Sequence, residues 1–143
     1  MKIVYILLLI LLDQITKIWA LKDLSEIGSI PVIENIFHLT YVENRGAAFG
    51  IFQGKTTFLV IITACVIGYI IYYMLSNKNL DNITKISFIL IISGAIGNLI
   101  DRVRLGFVVD FFDFRVWPVF NIADICVVIG AVLLGYVIIT SKD

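Results

Sequence analysis

Residues 119–139 read VFNIADICVVIGAVLLGYVII. A run of this length and apolarity predicts a membrane-spanning helix, since about 20 apolar residues cross the hydrocarbon core of a bilayer. Two residues break the pattern, Asn121 and Asp124. A carboxylate at the centre of such a span costs roughly 2.5–3.5 kcal/mol on insertion scales. A chain keeps one there when the side chain faces protein or a water-filled cleft rather than lipid.

The rest of the chain agrees with a membrane setting. Of 143 residues, 60% are hydrophobic and 15% charged, whereas a soluble domain has about half and a quarter. Eleven basic and eleven acidic residues cancel, so no basic field points to nucleic acid. Four spans are expected, at about 3–21, 56–75, 83–100 and 119–139, with Tyr69, Tyr72 and Tyr73 gathered near one end of the second. The fold class is therefore an all-α membrane protein with four transmembrane helices, one integral domain over 1–143. Loops 22–55 and 101–118 share one side, and loop 76–82 shares the other with the termini. An N-terminal signal peptide is the alternative for the first run, but DQITKIWALKD follows it without an A-x-A-like cleavage site. Cys65 and Cys126 sit inside apolar runs and read as small hydrophobes, not a disulfide.

Polar residues inside the spans gather toward one surface. Asp13 and Lys17 are i, i+4; Asn98, Asp101 and Arg102 are i, i+3 and i+4; Asn121 and Asp124 are i, i+3. The end of the third span and the start of the fourth open on the side of the two long loops. Each piece has an ordinary alternative. Asp13 and Lys17 make a neutralising ion pair, and Asn121 with Asp124 caps a helix. Asp101 and Arg102 mark a helix end at the headgroups, and SGAIG at 93–97 is a small-residue packing patch.

The loops add two features. FHLTYVENRGAAFGIF, 37–52, has a strand-like start and a turn, which suggests a small β-hairpin at the membrane surface. DRVRLGFVVDFFDFRVWP, 101–118, is aromatic-rich with alternating charge and reads as a loop or short helix lying in the interface. His38, the sole histidine, reads as an interfacial side chain. If that loop folds down, Asp110 can meet Asp124. Two close carboxylates share a proton and titrate as a pair. The ionised member takes a proton from an attacking water while the other donates to the carbonyl oxygen. Such peptide hydrolysis needs no serine, cysteine or metal. A metal site built on the aspartates would need further oxygen ligands, for which Asn98 and Asn121 are available. A small proton-coupled transporter is the rival from another class, although transporters hold their sites near the midplane.

DQITK, NRGAAFG, SGAIGNLIDR, VVDFF and FNIADICV, in this order over residues 13–127, resemble the signature blocks of lipoprotein signal peptidase, the bacterial type II signal peptidase. The resemblance implies an aspartic intramembrane endopeptidase that removes signal peptides from diacylglyceryl-modified prolipoproteins, cutting before the lipidated cysteine. It implies Asp110 and Asp124 as catalytic residues. It places Asn121 beside them, Asn98 and Arg102 as a polar pair of the site, and Asp13 and Asn44 as residues that position substrate or brace the site. Expected partners are prolipoprotein signal peptides and membrane lipids; no cofactor, metal or nucleic acid is expected, and the protein is expected to be a monomer. Ser93 stands where the family often has glycine, and the tail after the fourth span is very short. The family topology puts the termini in the cytoplasm of a bacterial inner membrane and the active site outside. The basic residues argue the reverse: Lys2, Lys78, Lys85 and Lys142 flank the terminal side, against Lys22, Arg45, Lys55, Arg102, Arg104 and Arg115. Arg45, Arg102 and Arg104 lie in or beside the blocks, so the family topology is preferred.

Overall fold

The structure is a computed structural model that describes residues 2–46 and 51–140. Its four long helices are each apolar enough to cross a membrane. Helix α1 (Lys2–Trp19) does not stop where its apolar run ends. It continues through a π-helical turn (Ala20–Leu24) and a short α2 (Ser25–Ile27). The wider turn puts Ala20 and Leu24, both fully buried, beneath Val109 and Phe111. Helix α3 (Thr56–Ser76) lies on the periphery with most of its apolar side chains exposed. Without water around them, such faces are satisfied by lipid.

Helix α4 (Asn82–Leu105) is the centre of the bundle and carries the longest set of buried residues. It runs five residues past the span expected at 83–100, which keeps Asp101 and Arg102 helical and turned toward the interior. Asp81 caps its start by accepting from the Thr84 N–H at 2.9 Å. Gly106 ends it in the left-handed conformation (φ 82°) with its N–H on the Arg102 carbonyl. Open space surrounds the missing Cβ there, so only the backbone demands glycine. Gly106→Ala is expected to lower the unfolding free energy by about 1–2 kcal/mol, the cost of a left-handed non-glycine residue. Thermal unfolding in detergent measures it.

Helix α5 (Ile122–Thr140) packs closely on α4 because the contact is made by glycines. A Cβ on Gly130 would lie 2.8 Å from the Ser87 carbonyl, and one on Gly94 would meet the Ala123 carbonyl. In lipid, such close approach replaces the hydrophobic drive that joins helices in water.

A three-stranded antiparallel sheet, β1 (Ser29–Ile33), β2 (Phe37–Asn44) and β3 (Val108–Asp113), sits at one end of the bundle. The strand expected at the start of 37–52 is β2, but its hairpin partner is β1, which precedes it through the turn at 34–36, and not a strand after NRGAAFG. The third strand corrects the reading of 101–118 as an interfacial loop or short helix. Val108–Asp113 is almost wholly buried, because Ala20 and Leu24 cover one side and the helices the other. A strand covered on both faces loses its polar alternation and becomes an apolar run, so VVDFF carried no strand signature. Past β3 the chain folds back: Phe120 exchanges hydrogen bonds with Phe112, its carbonyl also accepting from the Phe111 N–H. That return delivers Asn121 to the strand that holds Asp110. The last four residues of NRGAAFG, 47–50, lie outside the described residues.

Candidate active site

Asp110 and Asp124 face one cleft of about 950 Å³, lined also by Asn44, Asn98, Arg102 and the segment Trp117–Phe120. Asp124 arrives there by capping its own helix. Asn121 Oδ1 accepts from the Asp124 N–H at 2.8 Å, and Asp124 Oδ2 accepts from the Asn121 N–H at 3.2 Å. This is a reciprocal capping box. The capping alternative and the site reading are thus both true of the same residues. Asp124 Oδ1 remains and accepts from Asn98 Nδ2 at 2.8 Å.

Asp110 reaches the cleft from β3. Val42 pairs with Asp110 and Asn44 with Val108, which places Asn44 and Asp110 on the same face of the sheet. Asn44 Nδ2 donates to Asp110 Oδ2 at 3.0 Å, and Asn121 Nδ2 donates to Asp110 Oδ1 at 2.6 Å. Asn121 therefore touches both aspartates, one through its side chain and one through its backbone. Burial pushes the Asp110 carboxyl up to about 7, helped by the neighbouring Asp124 charge and opposed by the Asn44 and Asn121 donors and by Lys17. Asp113, two residues on, has the opposite character. Burial raises it too, but the Arg115 N–H, the Thr40 hydroxyl and the Arg115 guanidinium together hold it below the usual carboxylate range. Asp113 lies outside the cleft, as does His38.

Behind the cleft lies a buried polar cluster. Lys17 Nζ sits 3.0 Å from Asp13 Oδ2, 3.1 Å from Asp101 Oδ2 and 2.9 Å from Asn98 Oδ1. Asp13, 1% exposed, accepts from the Ala123 N–H at 2.9 Å and so joins α1 to the first turn of α5. It does not line the cleft. Asp101 accepts from the Val109 N–H at 3.0 Å and from Gln14 Nε2 at 3.1 Å, joining α4 to β3 and α1. Arg102 donates to the Gly46 carbonyl at 3.0 Å, anchoring the chain just after β2, and its charge lies in the field of Asp124, Asp110 and Asp101.

All seven residues singled out from the sequence are thus in one place. Asp110, Asp124, Asn44, Asn98 and Arg102 line the cleft, Asn121 bridges the two aspartates, and Asp13 stands behind. Lys17 and Asp101 stand in the sequence among the polar residues of the spans but without a role in the site, and Gln14 stands outside that set. A signal existed, because Lys17 is one turn from Asp13 and Asp101 is three residues from Asn98 on the same helix face. Among the described residues, the carboxylate oxygens of the two cleft aspartates meet amide N–H donors and not further carboxylates.

Comparison with known proteins follows the same line. The family profile described as signal peptidase (SPase) II matches residues 5–140. A lipoprotein signal peptidase of Caldanaerobacter subterraneus subsp. tengcongensis is 52% identical over 140 residues, covering 97% of this chain and 96% of that one. One from Clostridioides difficile is 54% identical over 134 residues, 92% of this chain and 90% of that one. Two solved structures, each titled a bacterial membrane enzyme, superpose well. One has a TM-score of 0.92 at 33% identity over 99% of this chain and 89% of that one. The other has 0.85 at 35% over 99% and 93%.

Proposed function

Given that this chain belongs to the signal peptidase II family, we propose that it is an aspartic endopeptidase that cuts diacylglyceryl-modified prolipoproteins just before the lipidated cysteine. The carrying observation is that Asp110 and Asp124 share one cleft and one bridging residue, Asn121, with Asp110 raised to about 7. At neutral pH such a pair holds one proton between two carboxyls. Asp124 takes a proton from water as its oxygen bonds to the scissile carbonyl carbon. Asp110 gives its proton to the carbonyl oxygen as charge develops there. Collapse of the tetrahedral intermediate returns the hydroxyl proton to Asp110, and Asp124 protonates the departing nitrogen as the C–N bond breaks. No metal takes part.

The cleft suits a lipidated substrate. Ile125, Val128 and Ile129 of α5 are exposed and line it, so acyl chains can remain in lipid while the scissile bond reaches Asp124. Trp117 and Val119 border the same opening and help to exclude water. The protein is a multi-pass bacterial membrane protein. We place its termini in the cytoplasm and the cleft on the outer face, and we take it as a monomer. Three of the basic residues that argue otherwise have partners that explain their position: Arg45 pairs with Glu43, Arg115 with Asp113, and Arg102 binds the Gly46 carbonyl. The transporter reading draws no support from the relatives, and the polar residues crowd one end of the bundle rather than its middle.

The test is cleavage by purified protein in detergent, with a chelator present, of a lipidated prolipoprotein and of its unlipidated form. Cleavage of the first alone is expected; an inert enzyme, or one silenced by the chelator, overturns the proposal. The same assay gives the pH profile. Asp110 must be protonated to act, so kcat is expected to fall as pH rises through about 7. Asn44→Ala removes a donor that favours the ionised form, so the alkaline limb should move to higher pH. A limb that moves down contradicts the assignment of Asp110 as the acid.

A further inference from the structure

Lys17 is 2% exposed and has all three of its donor directions occupied. Two go to Asp13 and Asp101. The third goes to an uncharged group, Asn98 Oδ1, at 2.9 Å. If the cluster served only to neutralise a buried ammonium, one carboxylate would suffice; here there are two and an amide besides.

The amide leads into the site. Asn98 Oδ1 accepts from both Lys17 Nζ and Asn121 Nδ2, the latter at 3.1 Å. With its carbonyl end held by two donors, Asn98 must turn its Nδ2 to Asp124 Oδ1. The flipped amide would set NH₂ against an ammonium and another NH₂, and an oxygen against a carboxylate. Each contact would become donor on donor or acceptor on acceptor. Asn121, likewise, has its Nδ2 directed at Asn98 Oδ1 and at Asp110 Oδ1.

We propose that Lys17 is a positioning residue for the two site aspartates: it fixes the direction of the Asn98 amide, and with it the donor that Asp124 receives. The inference rests on the reading of Asp110 and Asp124 as the proton-transferring pair and adds the group that sets their hydrogen-bond polarity. The ammonium also acts at a distance. It favours the ionised form of Asp110, against burial and the Asp124 charge. The other charged groups around it are Asp13 from α1, Asp101 and Arg102 from α4, Asp110 from β3, Asp124 from α5, and, at the rim of the cleft, Glu43 of β2 paired with Arg45 just after it.

Removing Lys17 alone strands two buried carboxylates, so the test uses Lys17→Met with Asp101→Asn. That pair removes one charge of each sign and leaves an oxygen for the Val109 N–H. For the folded double variant, kcat is expected to fall by roughly 100-fold, within the range of general acid–base catalysis. KM should stay within about threefold, since the lost interaction serves the transition state. The alkaline limb of its pH profile should move to higher pH, since the Lys17 charge favours the ionised form of Asp110. Lys17→Arg keeps the charge but cannot offer three donors in the ammonium's directions. Its limb should stay in place while kcat falls by about tenfold or more. A folded double variant whose limb does not move, whatever its rate, overturns the inference. So does a Lys17→Arg enzyme with the parent's kcat, which decides the matter if the double variant fails to fold. Asp110→Asn and Asp124→Asn run alongside; if either cleaves at the parent's rate, it is the aspartate pair that has failed, and the inference falls by that separate result.

Discussion

Asp110→Asn and Asp124→Asn should each cut the rate of prolipoprotein cleavage by about 10²–10⁴-fold, the range supplied by a positioned proton-transfer group. Asparagine keeps the shape of the side chain and cannot carry the proton. The substitution is not innocent structurally, and the structure says how much. Each carboxylate accepts at both oxygens, Asp110 from Asn44 and Asn121, and Asp124 from Asn98 and the Asn121 N–H. An amide can satisfy one of the two and opposes the other with an NH₂. A cost of about 1–3 kcal/mol is expected for each unsatisfied contact. Unfolding midpoints must therefore be measured beside the rates. Loss of cleavage in variants that remain folded at the assay temperature supports the pair. A folded variant that cuts at the parent's rate removes its aspartate from the chemistry. Restored cleavage on adding a divalent cation to either variant would replace the acid–base account with a metal one.

Gly94→Ala should damage both fold and activity, although Gly94 touches no substrate. The new Cβ would press on the Ala123 carbonyl and lie 2.8 Å from Val127 Cγ2. A valine methyl can turn away; a helix backbone cannot. Helix α5 must retreat from α4, which for an overpacked site costs about 1–3 kcal/mol. Ala123 is the residue before Asp124, and its N–H is held by Asp13. The retreat therefore moves the Asp124 carboxylate and strains its brace together, and a misplacement of about 1 Å can cost roughly 10²-fold in rate. Gly130→Ala provides the control. It meets Ser87 and Ile91 of α4, neither of which lines the cleft, so it should lower stability with a smaller loss of kcat in the folded fraction. Equal losses of kcat at the two positions would mean that the helix contact acts as one rigid unit and that Gly94 has no special bearing on Asp124.

Spans are legible in the chain because a bilayer imposes a length on every apolar run. Asn98 with Arg102, and Asn121 with Asp124, are legible as pairs because helical periodicity puts i, i+3 and i+4 on one face. Asp124 inside a span was itself a statement that a cleft exists. Asp110 is legible through chemistry, since proton transfer needs a second carboxylate at the same surface, and through the resemblance of its block to a known family.

The bundle decided the rest. Val108–Asp113 is a strand because Ala20, Leu24 and β2 happen to cover it, and an apolar run does not name its cover. Lys17 spans the gap to Asn98 and Asp101 only because α1 and α4 lie in contact. Gly97 makes room there: a Cβ on it would stand 2.5 Å from Asp13 Oδ2. Arg102 holds the Gly46 carbonyl across 56 positions of sequence. The sequence by itself determined which segments cross the membrane and which polar residues share a helix face, since both follow from the repeat of one helix and the thickness of one solvent. Only the tertiary structure decided which face meets which and which donor each carboxylate receives. Those depend on how closely two helices approach, a distance set by side chains far apart in the chain.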